Sequence, residues 1–286
     1  MSLHSLLTSD PTRRSAPPRL ERSVGLARVT LAGPTPHQGQ GQGARLERLY
    51  QSGSAKAVPL FTPQGAEIAF LNTSGGLCGG DRLAYALDLA PGARATATTQ
   101  TAERAYRADR PAEVSVEMTV GAGGWLDWLP QETILFDGAQ VVRRTEVALG
   151  AGAGCLLAES VILGRIAMGE TVSALDFRDT RAVRQAGRLL WLEPLHLCPA
   201  AFDGLATLRG ARALASVALI RPGAGDLLAP LRAVLTESGV AAAASALPDR
   251  LMLRMMAADG WPLRRQLVRA LAVLRQGAPL PRVWQM

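Results

Sequence analysis

Three times in the middle of the chain, a run of alternating apolar residues ends in a glycine-alanine turn and a second short run follows. The first copy is Leu83–Leu89, Pro91-Gly92-Ala93, Arg94–Thr99. The second is Val114–Val120, Gly121-Ala122-Gly123-Gly124, Trp125–Leu129. The third is Arg144–Leu149, Gly150-Ala151-Gly152-Ala153-Gly154, Cys155–Ala158. From turn to turn the steps are 29 residues (121 − 92) and 31 residues (152 − 121). Alternation of period two, as in Val114, Val116, Met118 and Val120, marks strands with one buried face. A strand–turn–strand unit recurring every thirty residues or so leaves two architectures: stacked β-hairpins or β-helix-like coils, and a plain β-sandwich with evenly spaced turns. A weaker fourth unit runs from Thr171 to Phe177, through a polar connection, to Arg188–Leu192.

Val24–Leu31 reads as an earlier strand, and Arg250–Met256 as a late one. After Pro222 the apolar period changes to that of helices. The spacing predicts one helix near 226–238, on Leu227, Leu228, Leu231, Val234 and Leu235, stopped by Gly239. A second is predicted near 262–276, with Leu263, Leu267, Leu271 and Leu274 on one face and Gly277 as its end. The fold class is mainly β: a stacked β-hairpin or β-helix-like scaffold with two C-terminal α-helices. Residues 1–22, with four arginines among serine and proline and no apolar core of a secretory signal, read as a flexible tail. Residues 23–286 form a single β-rich domain, with the glycine–glutamine run 37–43 as a loop inside it.

Composition narrows the function. Hydrophobic residues make up 48% of the chain, enough for a large core. No run approaches the about eighteen apolar residues of a membrane span, so the chain is placed in the cytoplasm. The net charge of +7 favours acidic partners. The arginines are scattered and aromatics are only 5%, which argues against a nucleic-acid groove with stacking platforms. Three cysteines and three histidines cannot build a clustered thiolate or imidazole store for a metal. His196 lies in an apolar run and reads as a packed core histidine that shares a strand face with Cys198.

In each unit the second strand runs into polar residues: Gln100 and Glu103, then Gln131 and Glu132, then Glu159 and Ser160 with Arg165 and Glu170 beyond. If the units stack, these knots and Asp137 gather along one edge. The segment from Leu71 to Arg82 holds four glycines, yet it has no lysine and no following helix, so it is a turn in which Asp81 caps or pairs with Arg82 rather than a phosphate cradle. Cys78 there is a lone thiol. No GxSxG or HExxH is present, and the chain reads as non-catalytic. Two alternatives remain open on residues alone: a β-helical enzyme for acidic polysaccharide using Arg165 and a carboxylate pair, and a stand-alone metal-binding protein.

Three segments carry a resemblance. Leu71-Asn-Thr-Ser-Gly-Gly-Leu-Cys-Gly-Gly-Asp-Arg82, Trp128-Leu-Pro-Gln-Glu-Thr-Ile-Leu-Phe-Asp-Gly138 and Leu163-Gly-Arg-Ile-Ala-Met-Gly-Glu170 resemble, in order and spacing, the signatures of the UreD (UreH) family of urease accessory proteins. The likeness runs from about Ala27 to Trp284. It implies a scaffold that binds apo-urease and UreF, with the GTPase UreG recruited through UreF, and that aids GTP-dependent nickel insertion. It leaves room for a homodimer within that complex. It implies no stably bound cofactor, only nickel in transit. Glu170, Asp137, Glu132 and Asp81 are the expected contributors to the path, with Arg165, Gln131 and Gln100 in support.

Overall fold

The computed structural model describes residues 22–33, 44–62, 65–202, 204 and 206–285. The expected tail (apart from Arg22) and the run 37–43 lie outside the described residues. The chain opens with β1 (Val24–Ala32), β2 (Arg45–Gly53), β3 (Ala55–Thr62) and β4 (Gly65–Asn72). Three coils follow. The first is β5 (Arg82–Leu89), β6 (Arg94–Thr99) and β7 (Glu103–Ala105); the second is β8 (Ala112–Val120), β9 (Trp125–Trp128) and β10 (Thr133–Leu135). The third is β11 (Ala139–Leu149) and β12 (Gly154–Leu163).

The coils stack in parallel and nearly in register. Leu87 lies beside Met118, Met118 beside Val147, and Val147 beside Val183 of the next strand. The turns stack as well: Gly92 N–H donates to Ala122 O at 2.8 Å, and Gly123 N–H to Ala151 O at 2.9 Å. Two demands on glycine explain the recurring turn. Gly92, Gly123 and Gly152 have φ of 72°, 65° and 66°, a region that favours glycine. At Gly121 and Gly150 a Cβ would come within 2.5 Å of Pro91 N and 2.6 Å of Ala122 N, backbone of the coil below. The thirty-residue repeat is thus a β-helix-like stack.

The remaining strands are β13 (Leu175–Gln185), β14 (Arg188–Leu197), β15 (Ala213–Ile220), β16 (Val240–Leu247) and β17 (Arg250–Ala257). The first strands of the coils form one sheet, in the order β14-β13-β11-β8-β5-β1-β2. The second strands form the other, in the order β16-β17-β15-β12-β9-β6-β4-β3, with β10 beside β12 and β7 beside β10. One apolar core lies between the sheets; Val114, Val116, Met118 and Val120 all point into it, as their alternation required. A second lies between the far sheet and the last helix, α2 (Gly260–Leu274), whose buried face includes Leu263, Leu267, Leu271 and Leu274. Asp259 caps α2 by accepting Trp261 N–H at 2.7 Å. Among the described residues no helix is long and apolar enough to cross a membrane.

Three expectations need correction. The fourth unit is not a coil but an antiparallel hairpin of β13 and β14, turned at Ala186 and Gly187 with φ of 48° and 78°. Its "polar connection" is strand, because Asp179 and Arg181 are buried in ion pairs. The helix expected near 226–238 is present but shorter: a 3-10 turn, Ala224–Leu227, leads into α1 (Leu228–Ala233), which ends before the expected stop. Glu237 is drawn away instead: its N–H donates to Gln266 Oε1 at 2.8 Å, and its carboxylate pairs with Arg265 and Arg269 on α2. His196 is exposed rather than packed in the core, with Nε2 2.9 Å from Asp176 Oδ1.

Candidate functional site

Inward positions of strands facing another sheet should be apolar, since an unpaired buried charge is costly. Six positions in this interior break the rule. Arg143 lies on the same face of β11 as Val141 and Val147, yet it is buried, as are Glu159 on β12, Asp179 and Arg181 on β13, and Glu193 on β14. Glu103 of β7 is largely enclosed beside them and lines a small cavity with Tyr85, Arg143, Glu159 and Phe177.

The side chains form a continuous line. Arg143 grips Asp179 with both ends of its guanidinium, Nε to Oδ1 at 3.0 Å and Nη2 to Oδ2 at 2.8 Å. Its Nη1 donates to Thr133 Oγ1 at 3.0 Å and lies 3.0 Å from Glu159 Oε2. The other oxygen of Glu159 accepts from Trp128 Nε1 at 2.8 Å. Arg181 stands 3.2 Å from Asp179 Oδ2 and 3.5 Å from Glu193 Oε2. Ser216 Oγ donates to Glu193, and Arg254 closes the line at the surface, 2.9 Å from Glu193 Oε1. Glu159 borders both the inner cavity and a larger one of about 580 Å³ that opens beside Glu193, Ser216 and Arg254.

Within the line, four carboxylates (Glu103, Glu159, Asp179, Glu193) face three guanidiniums, two of them buried (Arg143, Arg181) and one at the surface (Arg254). Their burial shows in proton affinity. Burial raises the Glu103 carboxyl to about 7, although Asn72 and Arg143 pull the other way. Burial also raises Glu159, against the opposing pull of Arg143. Asp179 stays low: burial works against its charge, but Arg143 and Arg181 outweigh it. Among the described residues, Glu159 Oε2 accepts no hydrogen bond despite its nearness to Arg143.

A pH prediction follows for Glu103. A carboxyl raised on folding contributes its full stability below its ordinary value near 4.5 and loses it as pH rises through about 7. The wild type should therefore lose roughly 3 kcal/mol from this group between pH 4.5 and 8. Glu103→Gln should remove that loss. Urea titrations of both proteins across this range measure it, and parallel curves would show that Glu103 titrates normally.

The expected site residues fall into separate groups. Asp137 Oδ1 accepts from Ser173 N at 2.7 Å, Ser173 Oγ at 3.0 Å and Ala174 N at 2.9 Å, and the carboxylate pairs with Arg107. These backbone and hydroxyl donors hold it down at about 2. Asp137 N–H donates to Glu170 at 3.2 Å, and Glu170 takes Arg165 N and Nε at 2.8 and 2.9 Å. Arg165 thereby keeps Glu170 ionised. Glu132 and Gln131 form a second group, held by Arg264 of α2 at 3.1 and 2.8 Å. Gln100 is exposed, its backbone N–H donating to Phe70 O at 2.8 Å.

Asp81 joins neither group among the described residues. It caps the glycine turn, accepting Cys78 N–H at 2.8 Å and Ser23 N–H at 2.9 Å, while Arg82 pairs with Glu113 instead. No group of three or more histidine, cysteine or acidic residues among the described residues is arranged to hold a metal ion. Sequence reasoning singled out Glu103 and Glu159 but missed Arg143, Asp179, Arg181 and Glu193. For Arg143 the signal was available: its parity with Val141 and Val147 puts it on the buried face.

Fold and site together define a class: a coiled β scaffold backed by one long helix, with a carboxylate-rich line through its interior. The pattern that defines the UreD urease accessory protein family matches residues 28–285. The urease accessory protein UreD of Cereibacter sphaeroides (strain ATCC 17025) is 60% identical over 277 residues, covering 94% of this chain and 98% of that protein. The UreD protein of Paracoccus denitrificans is 57% identical over 276 residues, covering 95% of each chain. That of Mesorhizobium japonicum is 40% identical over 277 residues, covering 95% of this chain and 97% of its own. The chain belongs to the UreD family of urease accessory proteins.

Proposed function

We propose that this chain is a non-catalytic, cytoplasmic maturation scaffold that binds apo-urease together with UreF and, through UreF, UreG, and that its interior conveys nickel toward the enzyme. The observation that carries this reading is the excess of carboxylates over guanidiniums between the sheets. A divalent cation entering that line offsets the excess. Carboxylate, hydroxyl and amide oxygens hold nickel more loosely than clustered imidazole or thiolate, which suits passage rather than storage. We place the route through Glu103, Glu159, Asp179 and Glu193. Asp137, Glu170 and Arg165 form its outer edge with Glu132 and Gln131; Asp81 and Gln100 act by holding turns.

The test has two parts. The purified chain should form a complex with UreF and apo-urease on size exclusion, and failure to do so contradicts the scaffold role. Glu170→Gln keeps one acceptor oxygen but loses the charge that pairs with Arg165. Urease matured with it should carry several-fold less nickel at limiting metal. An unchanged nickel content removes Glu170 from the route.

A further inference from the structure

Beside the N-terminus of α2 lies a groove of about 490 Å³. Its floor is apolar, with Ile134, Phe136, Ile162 and Leu263 among its lining residues. Its rim carries an anomaly. The two most exposed large apolar side chains among the described residues are Met168, 76% exposed, and Trp261, 64% exposed. Trp261 lines the groove, and Met168 ends the 3-10 turn Ile166–Met168 whose first two residues line it. Exposed tryptophan and methionine around an apolar hollow are typical of anchors buried by a partner.

The polar groups say what kind of partner fits. The lining carboxylates, Glu132 and Asp259, already accept hydrogen bonds, from Arg264 and from Trp261 N–H. The lining guanidiniums are Arg104, Arg165 and Arg264. Arg104 is exposed, and its side chain makes no hydrogen bond or ion pair among the described residues. A guanidinium has five N–H donors, so Arg165 and Arg264 keep donors to spare beyond their bonds to Glu170 and to Gln131 and Glu132. The groove is apolar below, rich in donors above, and its acids are occupied.

We infer that this groove docks a segment of a partner protein that carries an apolar anchor flanked by carboxylates. The anchor packs on Phe136 and Trp261, and the carboxylates meet Arg104 and Arg165. The groove adjoins the interior line: Gln131, held to Arg264 at its edge, also lines the inner cavity with Glu103. A partner seated here stands next to the carboxylate line. The inference rests on the accessory reading for the partner's identity and on the groove for its chemistry.

The test uses the full chain with purified UreF and apo-urease. A photo-crosslinking residue at position 261 should capture one of these proteins, through a peptide with an apolar residue flanked by acids. Trp261→Glu and Arg104→Glu should each weaken that partner's binding at least tenfold, and the milder Trp261→Ala should do so in the same direction. Both positions are exposed, so circular dichroism should match the wild type. Wild-type affinity in every variant, with no crosslink, overturns the groove while leaving the accessory reading intact. A variant that changes only self-association also overturns it, in favour of a second copy as occupant. A wild-type chain that binds neither protein overturns both readings.

Discussion

Arg143→Ala is expected to destabilise the protein by about 3–5 kcal/mol in urea titration, more than any other interior polar substitution. The reason is what the change leaves behind. Arg143 alone bridges Asp179 and Glu159, both enclosed between the sheets. Without it, two carboxylates face each other across a low-dielectric interior with only Arg181 near Asp179. The loss should shrink as pH falls, because burial already raises Glu159 and protonation relieves the repulsion. A loss below about 1 kcal/mol at neutral pH would mean that water, rather than Arg143, compensates these charges.

Leu214→Trp should leave the fold near wild-type stability while cutting nickel delivery at least tenfold. Leu214 faces the space between the sheets and lines the cavity of about 580 Å³ that opens beside Glu193. An indole there occupies empty volume, so its cost should stay below the about 1–3 kcal/mol of overpacking a filled core. It changes no charge and lies apart from the groove beside α2, since Leu214 is not among the residues that line it. It therefore separates obstruction from altered electrostatics and from lost docking. Delivery at the wild-type rate would mean that the cavity is not on the route.

The coil stack was legible because glycine turns and period-two alternation are local signals, and each copy reinforces the others. The second helix was legible for the same reason: Pro262 and Gly277 mark its ends, and four leucines its buried face, although its start at Gly260, capped by Asp259, was not read. The first helix was overread, since apolar spacing alone did not reveal that Glu237 is claimed by α2. The β13–β14 hairpin was hidden because charged residues in a strand resemble a loop until their partners on other strands are known. Strand β16 is mostly alanine, which carries little strand signal, and only pairing with β17 reveals it.

The knots were found by counting from each turn, and coil stacking did bring Glu103, Glu132 and Glu159 onto adjacent strands or their ends. The interior line was only half visible. Glu103 and Glu159 stand at the ends of recognisable units, whereas Asp179 and Glu193 meet through Arg181 across a hairpin the sequence did not announce. The groove beside α2 joins residues more than a hundred positions apart, such as Glu132 and Arg264, so nothing local could foretell it.

The decisive quantity is nickel per urease active site, measured by mass spectrometry on enzyme matured at limiting nickel with either the wild-type chain or Leu214→Trp, at equal amounts of assembled complex. If metal travels between the two sheets, the plugged protein yields urease with at most a tenth of the wild-type nickel. Equal metal in both preparations would show that the ion reaches the enzyme by another way.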